Sequence, residues 1–221
     1  MCFSAQVSFA LAAVLAAAGY MSLQQVRHKA FRMAAWVPIF FAMQQCAEGL
    51  LWLALQQGWN TIWVDVLPMI FMFFAAVIWP FWIPVSLYMI EYYKRIVLHV
   101  HNEKNLLGLW LESVFGSVLA IILLYLFGRY GFTATIVEHH IRYDFKSLPF
   151  EWPQALTLIY CIPVIGSFFI SSERFFRIFG YGLLVFASIS YVVWKFWFTS
   201  IWCFFAAVLS AGVVVYMRRQ K

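Results

Sequence analysis

Seven apolar runs, each long enough to cross a lipid bilayer, constrain this chain more than any other feature. They cover roughly 5–23, 33–56, 62–90, 106–128, 154–172, 176–194 and 197–217. A crossing helix needs about 20 mostly apolar residues. Backbone groups inside a bilayer must be satisfied within the chain, so runs of this kind are helices. The expected fold is all-α: a polytopic integral membrane protein, one domain over 1–221, with seven transmembrane helices and one long outer loop at 129–153. Composition agrees, with 65% hydrophobic and 11% charged residues, where a soluble domain has roughly half and a quarter.

The third run holds Pro68, Pro80 and Pro84, which predicts a kink and tilt. Only Lys195 and its neighbours separate the sixth and seventh runs, which predicts an antiparallel helical hairpin. No internal repeat is visible, which argues against an inverted-repeat transporter. The first run has no basic segment before it and ends in no cleavage site, so it reads as a retained helix rather than a signal peptide. The four cysteines show no CxxC or zinc-finger spacing.

The basic residues set an orientation. Arg27, Lys29 and Arg32 lie between runs one and two; Lys94, Arg95 and Lys104 between three and four; Arg174 and Arg177 between five and six. Arg218, Arg219 and Lys221 form the tail. These are alternate connections, and the positive-inside rule puts all of them in the cytoplasm. The N-terminus is then outside and the C-terminus inside. This placement between apolar runs also explains the net charge of +6 without a nucleic-acid partner. A retinal protein is excluded as well, because the last run carries no lysine for a Schiff base.

On that topology the notable polar residues converge on the outer side. Helix two carries Gln44, Gln45, Glu48 and Trp52 at helical spacing. Glu48 lies a little over two turns from the outer end. A carboxylate at that depth is expected to face the bundle interior and either pair with a cation or carry a proton. Packing by a buried hydrogen-bond knot and a ligand or catalytic role are both open. Asp65 begins helix three on the same side. The outer loop holds His139, His140 and Tyr143; a histidine there suits a metal ligand or general base, and Tyr143 joins His140 if the loop makes a helical turn. Glu112, in the inner half of helix four, is the main exception.

Cys2 is outside, and Cys203 lies about two turns below the outer surface. Ser4, Ser8, Ala12 and Ala16 form a small-residue stripe in helix one; Cys203, Ala207 and Ala211 form one in the last helix. Such stripes let helices approach closely. If the two stripes face each other, Cys2 and Cys203 meet. A disulfide, thiolate ligation of a metal, and plain packing all remain open. Loss of Met1 would also leave an N-terminal cysteine whose amine could act as its base.

Together MCFSA at the start, QQCAEGLLW at 44–52, HHIRYD at 139–144, SSERFFRIFG at 171–180 and SIWCFFAAVLS at 200–210 resemble a bacterial family of small seven-span membrane proteins of unknown function. The resemblance implies an inner-membrane protein. It implies that Cys2, Ser4, Gln45, Glu48, Trp52, His140, Tyr143, Trp202 and Cys203 belong to the family's pattern. It implies no activity. The seven-span ceramidase-like zinc hydrolases do not match, because the last run here has no histidine.

The expected site is a polar pocket between helices one, two, three and seven, open to the periplasmic side and lidded by 129–153. Glu48, His140 and Tyr143 are its candidate catalytic residues. Gln44, Gln45, Trp52, Asp65 and Trp202 are its candidate ligand contacts. Cys2, Glu48, His139, His140 and Cys203 are candidate ligands for a transition metal, with zinc, copper or iron as the choices. The expected function is an enzyme acting on a lipid or small amphiphile in contact with membrane lipids. The alternative is a non-enzymatic binder: a receptor, a transporter, or an accessory subunit with a membrane-protein partner.

Overall fold

A computed structural model describes residues 4–101, 103–137, 140–147, 154–193 and 197–219. Local capping signals mark the first helix starts. The Ser4 side chain accepts from Val7 N at 3.4 Å and caps α1 (Ala5–Gln24). His28 Nδ1 accepts from Ala30 N at 3.2 Å at the 3-10 turn that leads into α2 (Arg32–Gln57). That helix stops at Gly58, whose φ of 64° is a left-handed conformation suited to glycine. Asn60 caps α3 (Thr61–Met72) by accepting from Trp63 N.

The third run is continuous: Pro68 lies within α3, Pro84 within α4 (Trp79–Val97), and a π-helical turn, Phe73–Ile78, leads into Pro80 in the first turn of α4. In the π register the Ala75 carbonyl looks to residue 80, a proline with no N–H. The Tyr160 hydroxyl donates to it instead, at 2.5 Å. α5 (Glu103–Tyr130) crosses this turn at Gly116, where an added Cβ would stand 1.9 Å from Pro80 O.

The segment read as an outer loop carries a β-hairpin. β1 (Phe132–Val137) pairs antiparallel with β2 (His140–Phe145), in register from Phe132↔Phe145 to Val137↔His140. The fifth apolar helix follows as α6 (Gln154–Cys161), a π turn at Ile162–Gly166, and α7 (Ser167–Ile170). Then come α8 (Arg174–Val193) and the last helix, α9 (Phe198–Ser210) with α10 (Val213–Arg219). Among the described residues six helices are long and apolar enough to cross a membrane, which marks a multi-pass membrane protein; the fifth apolar helix is shorter. At 1.5 Å per residue it reaches roughly 25 Å, against a hydrocarbon core of about 30 Å.

The connections sort to two ends of the bundle. At one end His28 lies against Tyr93, ring centroids 4.1 Å apart, and Lys94 pairs with Glu173 at 3.0 Å. Tyr216, near the C-terminus, packs on Phe31 and Phe175 there. At the other end the hairpin buries Ile141 and Ala134 against Ala5, Leu51 and Leu67. Lys146 reaches Asp65 at 2.6 Å, and His140 meets Trp197 at 5.0 Å. The basic connections therefore share one end, as their alternation predicts.

The expected stripe on helix one is corrected. Ala16 is exposed, and the buried face of α1 runs through Ser8, Leu15 and Ser22 with Ala18 and Gly19. This face packs chiefly along α2, and α1 touches α9 and α10 more lightly. Gly19 explains why, since a Cβ there would stand 2.5 Å from the Ile39 side chain. Cys2 lies outside the described residues, and Cys203 is a free, buried thiol.

Candidate functional site: a buried carboxyl between the second and last helices

Gln44, Gln45 and Glu48 are fully buried on α2, and Trp52 nearly so. Their spacing puts them on one helical face, turned toward α9. Ser200 and Cys203, three apart on α9, answer from the other side. Ser200 Oγ donates to Glu48 Oε1 at 2.6 Å, and Gln45 Nε2 donates to Glu48 Oε2 at 3.3 Å. Gln44 Oε1 accepts from Trp79 Nε1 at 3.2 Å, and the Gln44 side chain adjoins the Cys203 thiol. Trp79 also stacks on Phe41, centroids 4.1 Å apart. Three helices thus meet through side-chain hydrogen bonds inside an otherwise apolar core.

Trp52 packs beneath the hairpin with Leu67, Ala134 and Ile141. Trp202 lies over Phe198 and edge-on to Tyr160. The indole N–H groups of Trp52 and Trp202 and the Gln45 carbonyl oxygen are buried and have no partner among the described residues. Buried polar atoms are satisfied in the great majority of cases. A cavity of about 50 Å³ opens beside Cys203 and Trp202 and runs toward Phe41, Leu87, Val164 and Phe168. That is room for more than one water-sized group. Its wall is almost wholly apolar.

The remaining predicted residues stand apart. His140 is buried on β2 against Trp197. Tyr143 stacks on Phe71 at 4.6 Å and 4°. The expected helical turn is a strand, so residues three apart point to opposite faces, and His140 and Tyr143 do not form one site. Asp65 is at the surface, ion-paired with Lys146, and is not a pocket residue. Glu112 lies on α5 beside Gly166 of the fifth apolar helix. No group of three His, Cys, Asp or Glu side chains converges among the described residues. Each Glu48 oxygen accepts one hydrogen bond, from Ser200 and from Gln45. Cys2 and His139 lie outside the described residues.

Three functional side chains escape the sequence reading. Ser200 sits three before Cys203, the one signal that could have found it. Trp79, beside Pro80 in the third run, is a core residue bonded to Gln44. Glu91 falls one residue past the expected third helix. It is fully buried and accepts from Ser171 Oγ at 3.0 Å, Ser172 N at 2.7 Å and Ser172 Oγ at 2.9 Å. Lys94 adds bonds to Ser172 Oγ and to Glu173.

A family model described as a family of unknown function, DUF6629, matches residues 1–221. This chain belongs to the DUF6629 family. A search of the curated proteins and of the solved structures finds no match to it. The functional reading of this DUF6629 member therefore rests on the Glu48 cluster, the adjoining cavity and the hairpin above them.

Proposed function

We propose that this DUF6629 protein is a seven-crossing protein of the bacterial inner membrane that holds a lipid or other small amphiphile beside Glu48. The orientation puts the hairpin end in the periplasm and the basic end in the cytoplasm. The gathering of Lys29, Arg32, Lys94, Arg95, Arg174 and Arg218 at one end supports it. At the other end Arg142 and Lys146 are paired with Asp144 and Asp65.

The observation that carries the binding reading is the change of character across one small volume. Trp202 and Cys203 line the cavity at one end, and the Gln44 side chain beside Cys203 links them to the neighbouring Gln45 and Glu48. Beyond Cys203 the cavity is apolar. At about 50 Å³ the cavity lies well below the usual ligand-pocket range, so the part of a ligand held there is a short apolar group of a few atoms, with its polar end toward Trp202 and Gln44. Glu48 is the group there able to exchange a proton with it. Trp202 and Gln45 orient it, and the hairpin keeps water from the cluster.

A thermal-shift panel tests this reading. Amphiphiles differing in headgroup and chain length are offered to detergent-purified protein. A ligand at 100 times its Kd raises stability by about 2.7 kcal/mol. The expected result is a headgroup-selective shift in the wild type that is lost in Glu48→Gln and in Ala206→Leu, which fills the cavity. Equal shifts in all three proteins would contradict it.

A further inference from the structure

A second hollow lies between the fifth and sixth apolar helices. It measures about 570 Å³, within the range of ligand pockets. Its floor and walls include Cys161, Ile165 and Phe169 on the fifth helix and Leu184, Ala187 and Ser188 on α8. Ser188, its exposed hydroxyl, already donates to Leu184 O at 2.8 Å. α8 is long and apolar enough to cross a membrane, so the groove opens sideways into hydrocarbon rather than into water.

The two hollows share their walls. Tyr160, Val164 and Phe168 line the central cavity, and Cys161, Ile165 and Phe169 line the groove. Each trio has a spacing of four, so they are adjacent stripes on one helix. On α8 the same division falls between Leu183, which faces the cavity, and Leu184, which faces the groove. A single thickness of helix separates them. That helix is the short one, and it carries the π turn Ile162–Gly166 at the level of the partition. A π turn inside an α-helix is rare and frequently falls at functional positions.

We propose that this groove holds one hydrocarbon chain of a bilayer lipid and is the side door through which an amphiphile reaches the Glu48 site. The groove's occupancy stands on its own geometry; the door rests on the proposed central site. The occupant is a hydrocarbon chain because the groove is apolar, faces the bilayer and lacks charged side chains among the described residues lining it.

The test uses the full-length protein in vesicles of phosphatidylethanolamine and phosphatidylglycerol, with a phospholipid carrying a diazirine near the end of one acyl chain. Photo-adducts are mapped by peptide mass spectrometry. Adducts on α6–α7 and α8 several-fold denser than on the exposed face of α5, around Val118, Ile121 and Ile122, are expected. Ser188→Trp, at an exposed position, should remove that excess without changing folding. Adducts as dense on α5 as in the groove would overturn the proposal. Ser188→Trp should also slow loading of the central site measured by thermal shift, while Glu48→Gln leaves groove adducts intact. Unchanged loading alongside lost groove adducts would overturn the door.

Discussion

Ser200 Oγ and Glu48 Oε1 stand 2.6 Å apart and tie α9 to α2 across 152 positions of sequence. The bond joins the last helix to the second where both are buried. In hydrocarbon an unsatisfied polar group is far more unfavourable than in water, so the pair is a constraint on the fold as well as on the site. Ser200→Ala removes a donor and leaves the carboxyl one partner; it is expected to lower stability in detergent by about 1 kcal/mol. Glu48→Leu removes the acceptor of both Ser200 Oγ and the Gln45 amide and is expected to cost more than Ser200→Ala, about 1–3 kcal/mol. Chemical unfolding of the two variants beside Glu48→Gln checks the order, with Gln the mildest change at Glu48.

Glu91 is expected to matter more for stability than for ligand binding. Glu91→Ala strands the Ser171 and Ser172 donors, and with them the joint between the fifth and sixth apolar helices. Removing one side of such a buried network costs about 3–5 kcal/mol. Thermal unfolding should show a larger loss for Glu91→Ala than for Ser200→Ala. A neutral result would mean the network is not a strut.

Gly116→Ala puts a methyl group where Pro80 O already stands, at 1.9 Å. The obstacle is backbone and cannot rotate away. Overpacking of this kind costs about 1–3 kcal/mol. Gly128→Ala on the same helix, with nothing within 4 Å of the added atom, is expected to be neutral or slightly stabilising. The contrast between the two, read by unfolding in one detergent, checks the close crossing of α5 over the π turn.

Topology is testable with single cysteines in a variant whose native cysteines are replaced. Asn60→Cys and Lys146→Cys should react with a membrane-impermeant maleimide added to intact cells. Lys29→Cys and His99→Cys should react only after the membrane is opened. The opposite pattern would invert the assignment.

Much of the architecture is legible in the sequence because a bilayer imposes one rule on every crossing segment. The apolar runs mark where the long helices fall along the chain, although the fifth is shorter than a full crossing among the described residues. Gln44, Gln45, Glu48 and Trp52 announce a buried face by spacing alone. What the sequence hides is which faces meet. Gly19 against Ile39 commits α1 to α2, and no periodicity in helix one shows this. The hairpin is hidden for a related reason: His140-Ile141-Arg142-Tyr143 alternates only loosely, and its burial depends on Leu51 and Leu67 beneath it. Glu91 is hidden because its partners are 80 residues away, in a serine pair that also reads as an ordinary helix cap.

The most direct test of the central claim is native mass spectrometry of the protein released from mild detergent, wild type beside Glu48→Gln and Ala206→Leu. The account predicts a one-to-one amphiphile adduct of defined mass on the wild type, lost from both variants while each stays folded. A wild type that carries no adduct, even after incubation with lipid extract, would contradict it and leave the Glu48 cluster as a structural joint alone.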